Sequence, residues 1–170
     1  FTSSRLLKQG LQSYSYELGL VRRNFGIDSN NYGRLMAVGT HRLGFTEKFT
    51  GEVHVELLGN QQSVGLGGVF LSPVVGILSG SLAMSKSKKG VGGLLGLGFQ
   101  HQSGNFSVGV NTQLASQNFA KLGLQSEKLA PRHISQMVVK MAKNNFGSFA
   151  VNYTQQALRN LEENKSVSAG

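Results

Sequence analysis

Apolar and polar residues alternate with a period of two along most of this chain. Between residues 12 and 23, small or polar side chains such as Glu17 hold the odd positions. Apolar side chains hold the even positions: Tyr14, Tyr16, Leu18 and Leu20. This alternation is typical of a β-strand whose two faces meet different surroundings.

A second segment, residues 49–58, alternates in the same way. Its odd positions are mostly apolar and include Phe49, Val53 and Val55. Its even positions are polar and include three ionisable side chains: Glu52, His54 and Glu56. Two chemically opposite faces therefore coexist on one predicted strand. No stretch of the chain has a helical period of comparable strength.

The same pattern predicts about nine strands in chain order. They cover residues 12–23, 34–43, 49–58, 63–71, 75–86, 94–103, 105–117, 133–142 and 147–155. Turn-forming or polar residues separate these segments, as expected for neighbouring antiparallel strands. We therefore predict an all-β fold built as an antiparallel up-and-down meander.

The links between the predicted strands alternate in length. The longer or more polar links are residues 24–33, 59–62, 86–93 and 118–132. The shorter links are residues 44–48, 72–74, 103–105 and 143–147. Long loops at one rim, short turns at the other and strands of about ten residues are typical of a transmembrane β-barrel. A soluble β-sandwich, which also alternates apolar and polar residues, is the alternative fold.

Composition excludes several classes of protein. The chain has no Cys and one Asp, Asp28, so disulfides, thiolate metal sites and paired-aspartate catalysis are excluded. It has no run of roughly 18 apolar residues, which a membrane-spanning helix needs. We therefore predict a protein that is not an enzyme and that holds no cofactor.

Two stretches of the sequence have an order characteristic of one protein family. The first reads LLKQGL at 6–11, YSYELG at 14–19 and RRNFGIDSNNYG at 22–33, and the second reads GTHRLGFTEKFT at 39–50 followed by GEVHVE. They resemble the barrel of outer-membrane ushers of the chaperone-usher pilus pathway, and the archaic-type ushers most. The chain departs from the family pattern at Leu43, Glu47 and Lys48, where the family usually has Tyr, Asp and Trp.

The resemblance implies a fold and a function. Residues 1–170 are expected to be part of the large usher barrel that follows the plug, without the plug and without the periplasmic N-terminal and C-terminal domains. The expected location is the bacterial outer membrane, where the barrel would be a pore segment for secretion and assembly of pilus subunits. The expected partners are membrane lipids and, through other parts of the full-length protein, pilus subunits and periplasmic chaperone-subunit complexes. The alternative functions are a passive porin-like channel and a soluble all-β adhesive or binding domain.

The alternation assigns residues to the two sides of such a barrel wall. The lumen-facing candidates are Glu17, Glu52, His54 and Glu56. The lipid-facing candidates are Tyr14, Tyr16, Leu18, Leu20, Phe49, Val53 and Val55. Same-face residues of a strand lie roughly 7 Å apart, which is wide for ligands of one metal ion, so we predict no metal site in the row from Glu52 to Glu56.

Basic residues outnumber acidic ones, with 17 Lys and Arg against 8 Asp and Glu. Six of them are candidates for loops at the outer rim that would contact anionic lipid headgroups: Lys86, Lys88, Lys89, Lys121, Lys128 and Arg132. The bases are dispersed and lack an accompanying aromatic stacking motif, so we predict no nucleic-acid partner.

Overall fold

The structure, a computed structural model, describes residues 5–22, 32–88, 90–120, 132–143, 147–157 and 163–169. These residues form strands and connections without any helix. The strands are β1 Gln12–Arg22, β2 Tyr32–Thr46, β3 Phe49–Leu58, β4 Gln61–Ser72, β5 Gly76–Ser87, β6 Gly90–Ser103, β7 Phe106–Ala115, β8 His133–Lys143, β9 Gly147–Ala157 and β10 Glu163–Ala169. All ten lie in one sheet in chain order, and each is antiparallel to the next. The predicted all-β meander is confirmed.

The structure has one strand, β10, that the sequence pattern did not predict. Strand β10, with the sequence ENKSVSA, has Val167 as its single large apolar residue, so no alternation marks it. It is defined instead by backbone pairing with β9, from Glu163 opposite Ala157 to Ala169 opposite Val151. A strand at the edge of a sheet needs only one partner, and backbone hydrogen bonds supply it whatever the side chains are.

The predicted contrast between long and short links holds only in part. The β3–β4 link, Gly59 and Asn60, is as short as the turns at the opposite end, and β6 begins only three positions after β5 ends. The reason at β6 is that the glycine-rich residues 90–93 pair with β5 and extend the strand. Strand β7 ends at Ala115 and β8 begins at His133, so these two strands are far apart in the sequence. We call the sheet end that holds these links the Lys88 end, and the opposite end the Lys48 end.

A bulge sets the register between β2 and β3. Thr46 lies opposite Phe49, but Gly44 lies opposite Thr50, so Phe45 is an extra residue without its own partner. The shift moves every earlier residue of β2 by one place. It therefore brings Arg42 opposite Glu52.

The described strands bury few apolar side chains. The buried hydrophobic residues are Val69, Ala83 and Phe119. A sandwich would bury one face of each sheet against a second sheet. The described strands form a single sheet, so the alternative sandwich fold is not what the structure contains.

Candidate functional site

The register divides the strand residues into two faces. One face, here called the polar face, is rich in charged, amide and hydroxyl side chains. Its members include Ser15, Glu17, Thr40, Arg42, Glu52, His54, Glu56, Ser63, Ser79, Ser81, Ser85, Gln100, Asn111, Gln113, Gln136, Lys140, Asn152, Thr154 and Gln156. All four residues predicted to face a lumen lie on it. Glu17 and Glu56 also lie in one row, with Val38 between them.

The opposite face, here called the apolar face, carries the large hydrophobic side chains. All seven residues predicted to face lipid lie on it, with Leu18 exposed by 77% and Tyr14 by 68%. Other exposed side chains continue the face to the far edge of the sheet: Leu35, Leu57, Val64, Leu66, Phe70, Leu78, Leu82, Met84, Val91, Leu95, Leu97, Phe106, Leu114, Met137, Met141, Phe149 and Val167. An apolar surface of this extent is unfavourable in water and marks a contact surface.

Several polar groups within the apolar face are hydrogen-bonded to one another. The Tyr16 hydroxyl lies 2.9 Å from His41 Nδ1. On β7 and β8, Thr112 Oγ1 lies 3.0 Å from Ser135 Oγ, which lies 2.8 Å from His133 Nε2. In hydrocarbon no water is present to satisfy such groups, so mutual pairing is what that environment requires. The alternation in the sequence gave no sign of these pairs, because they join different strands or residues two apart.

A network of hydrogen bonds and ion pairs occupies the polar face across β2, β3 and β4. Arg42 Nε lies 3.1 Å from Glu52 Oε2. His54 Nδ1 lies 2.7 Å from Thr40 Oγ1, and His54 Nε2 lies 3.0 Å from Glu56 Oε1. An ionised carboxylate only accepts hydrogen bonds, so the His54 Nε2–H donates to Glu56. The Ser63 hydroxyl also donates to Glu56, over 3.0 Å.

The two carboxylates of this network are buried, Glu52 with 7% and Glu56 with 6% of its surface exposed. A buried carboxylate is tolerated only where cations or hydrogen-bond donors face it. Arg42 meets that need for Glu52, and His54 and Ser63 meet it for Glu56. The sequence pattern identified the row on β3 but missed Arg42, Thr40 and Ser63. Only the strand register brings those side chains to it.

The segment before β1 lies against the polar face. The Leu7 backbone N–H donates to Thr50 Oγ1 over 2.9 Å, and the Arg42 guanidinium donates to the Arg5 carbonyl. Gly44 allows this approach, because a Cβ there would lie 2.3 Å from the Lys8 carbonyl oxygen. The chain therefore reaches β1 from the side of the polar face.

The segment after β7, residues 116–120, also packs on the polar face. The Ala120 N–H donates to Ser85 Oγ over 2.8 Å, and the Gly93 N–H donates to Ser116 Oγ over 2.7 Å. Phe119 is only 5% exposed, and its backbone covers Gly92 so closely that a Cβ at Gly92 would collide with it. Both non-strand segments thus lie on the same side of the sheet.

A groove of about 550 Å³ lies along the polar face between β4 and β8. Amide side chains dominate its polar lining, among them Gln100, Asn111 and Gln136, and Lys140 supplies a positive charge. Uncharged amides donate and accept hydrogen bonds without a strong preference for one charge. This part of the face suits contact with polypeptide or solvent rather than with one charged ligand.

The six basic loop candidates fall in different places. Lys86 is not in a loop but in β5, on the apolar face next to its Lys88 end. Lys88 is exposed in the β5–β6 turn, and Arg132 is exposed where its backbone bonds to Ala115 and Ala157. Lys89, Lys121 and Lys128 lie outside the described residues.

Metal-binding clusters and membrane-spanning helices are both absent from the described part of the chain. No group of three His, Asp or Glu side chains there is arranged to hold a metal ion. Nor does that part contain a helix long and apolar enough to cross a membrane.

Comparison with known proteins identifies the fold. No protein-family model and no curated protein matches the chain. Among solved structures, the translocation pore of the P pilus usher, PapC, is similar, with a TM-score of 0.77 over 96% of this chain and 14% sequence identity. The matched region is 35% of the chain in that structure. The described sheet is thus similar to a part of an usher pore.

Proposed function

We propose that this chain is part of the wall of an outer-membrane usher, a pore that secretes and assembles pilus subunits delivered by a periplasmic chaperone. The observation that carries the proposal is the similarity of nearly the whole chain to a solved usher pore. In this assignment the polar face lines the lumen and the apolar face contacts lipid. The chain has no catalytic role, and its protein partners are pilus subunits and chaperone-subunit complexes that other parts of the full-length protein recruit.

The strand lengths support a membrane-spanning wall. Strands β3 to β7 contain between 10 and 14 residues. A tilted strand of about 9–11 residues crosses the hydrocarbon core of a bilayer. All five strands are therefore long enough to span it, and β4, β5 and β6 also extend beyond it.

The two sheet edges support a larger assembly. Among the described residues, strands β1 and β10 each pair with one neighbour, which leaves backbone donors and acceptors along their outer sides. Such groups are not tolerated in hydrocarbon, so a membrane sheet must close. Further strands on both edges would close the barrel, in keeping with a match to about a third of the solved pore.

Site-specific photo-crosslinking during pilus assembly tests this function. One crosslinking residue replaces Asn111, on the polar face, and a control replaces Leu66, which is 59% exposed on the apolar face. With chaperone-subunit complexes supplied, the full-length protein should capture a pilus subunit from position 111 and none from position 66.

Two other results would contradict the proposal. Passage of small solutes with no subunit captured from position 111 would indicate a passive porin-like channel. A full-length protein that stays in water as a monomer, without detergent, would indicate a soluble binding domain.

A further inference from the structure

A trough on the apolar face crosses β1, β2 and β3. Small residues, Ala37 and Gly39, form its floor on β2, and larger side chains stand on both sides: Tyr16, Leu18, Val55 and Leu57. The walls belong to strands roughly 10 Å apart, by the usual strand spacing. The volume of the trough is about 380 Å³, within the range of about 300–1,000 Å³ typical of small-molecule sites.

The shape of the trough is fixed by its side chains. The Tyr16 ring lies beside Gly39: a Cβ added at Gly39 would be 3.2 Å from the Cδ1 atom of Tyr16. The hydrogen bond between the Tyr16 hydroxyl and His41 Nδ1 holds that ring in place. From Gly39 the trough runs along β2 to Ala37, between Leu18 and Leu57, towards the Lys88 end of the sheet.

A cation stands on the same face beside the Ala37 end of the trough. By the strand pairing it lies two strands from the Leu57 wall, roughly 10 Å away by the usual strand spacing. Lys86 is exposed and lies in one row with Leu57, separated from it by Gln62. In β1 to β6 the acidic residues Glu17, Glu52 and Glu56 all lie on the polar face. The neighbourhood of Lys86 on the apolar face is therefore positive.

The position of Lys86 is informative in a membrane. A lysine on the lipid side of a barrel costs about 2–4 kcal/mol at mid-membrane and almost nothing at the interface, where its ammonium reaches the headgroups. Lys86 is the residue before the last of β5. It therefore marks the headgroup level, and Lys88 in the adjacent turn adds a second exposed cation there.

We propose that the trough and Lys86 together bind a membrane lipid with an anionic phosphate headgroup. One acyl chain lies over Ala37 and Gly39, and the phosphate is held by Lys86 with Lys88 beside it. The inference rests on the proposed function, because it requires the apolar face to be in a bilayer. Charge complementarity selects this lipid over a neutral one, since no carboxylate of β1 to β6 on that face competes for the phosphate.

Spin-labelled lipids test the site. The full-length protein is reconstituted in phosphatidylcholine vesicles that contain spin-labelled phosphatidylglycerol or, separately, spin-labelled phosphatidylcholine. Electron paramagnetic resonance then measures the motionally restricted fraction of each. We expect phosphatidylglycerol to associate preferentially. Lys86→Gln should weaken that preference about fivefold, the effect of one basic residue near an anionic surface.

Matched variants separate charge from shape. Lys140→Gln removes an exposed lysine from the polar face and should leave the preference unchanged. Ala37→Leu fills the floor of the trough and should lower the restricted fraction of both lipids. Gly80→Leu adds the same side chain elsewhere on the apolar face, where nothing lies within 4 Å of a Cβ. This control should leave the restricted fraction of both lipids unchanged.

The outcomes distinguish this inference from the proposed function. Equal association of the two lipids with the unmodified protein, or an unchanged preference in Lys86→Gln, would overturn the lipid site while leaving the pore intact. An equal loss in Ala37→Leu and Gly80→Leu would overturn the trough as the acyl site. A protein that does not enter the vesicles at all would overturn the proposed function, and this inference with it.

Discussion

Arg42 stabilises the buried carboxylate of Glu52 on the polar face. Its guanidinium contacts the Glu52 carboxylate and also donates to the carbonyl of Arg5. Because Glu52 is 7% exposed, Arg42 rather than water faces its carboxylate. The same residue thus stabilises the carboxylate row and holds the segment before β1.

We predict that Arg42→Met destabilises the full-length protein in vesicles by about 3 kcal/mol, because it leaves the Glu52 charge buried without its cation. Urea unfolding in the membrane measures this free energy. Lys140→Met, an exposed control on the same face, should change it by less than about 0.5 kcal/mol. A cost no larger than that of the control would show that the ion pair contributes nothing.

Gly44 lies at the closest contact between the segment before β1 and the sheet. We predict that Gly44→Ala costs about 1–3 kcal/mol, because its Cβ would collide with the Lys8 carbonyl. The displaced segment should also be cleaved faster by trypsin after Lys8. Gly80→Ala, which has open space around its Cβ, is the control and should not destabilise the protein. Equal trypsin sensitivity in both variants would place the segment elsewhere.

At the scale of the element, the bulge at Phe45 decides which residues meet. Simple counting back from the two-residue turn would place Arg42 opposite Val53 and Thr40 opposite Val55. The extra residue shifts both by one position, so that Arg42 faces Glu52 and Thr40 faces His54. The sequence reveals the two faces of β3 because side chains alternate with a strict period. It does not reveal their partners, because nothing in the local pattern marks the bulge.

Disulfide trapping tests that register. The chain has no native cysteine, so none competes with the introduced pair. The double variant Thr40→Cys with His54→Cys should cross-link on mild oxidation, since directly opposed Cβ atoms lie within reach of a disulfide. Thr40→Cys with Val55→Cys should not. The reverse result would show that β2 and β3 pair without the bulge.

The strands themselves were predictable to different degrees. Segments with strong alternation, such as β1 and β3, were identified nearly to the residue. The start of β6 and the whole of β10 were missed, because glycine-rich or polar residues carry no alternation and are held by backbone pairing alone. The network around Glu56 and the pairs on the apolar face join side chains of different strands. The sequence does not predict them, because the local pattern does not show which residues of neighbouring strands lie opposite each other.

At the scale of the whole molecule, a single sheet separates two environments. One face carries charges, amides and two packed chain segments, and the other carries exposed hydrophobic side chains whose polar neighbours pair with one another. The described residues place no second layer over the apolar face, and in the proposed barrel lipid covers that face. The proposed pore depends on this contact between the apolar face and lipid.

Labelling of two adjacent residues on β8 tests that claim most directly. Gln136 is exposed on the polar face, and Met137 is 42% exposed on the apolar face. Single cysteines at these positions, in the full-length protein inserted in vesicles, are treated with a water-soluble maleimide. The cysteine at 136 should react and the one at 137 should not, although both react after unfolding. A cysteine at 137 that reacts as fast as the one at 136 would show that the apolar face is in water, and would contradict the proposed membrane barrel.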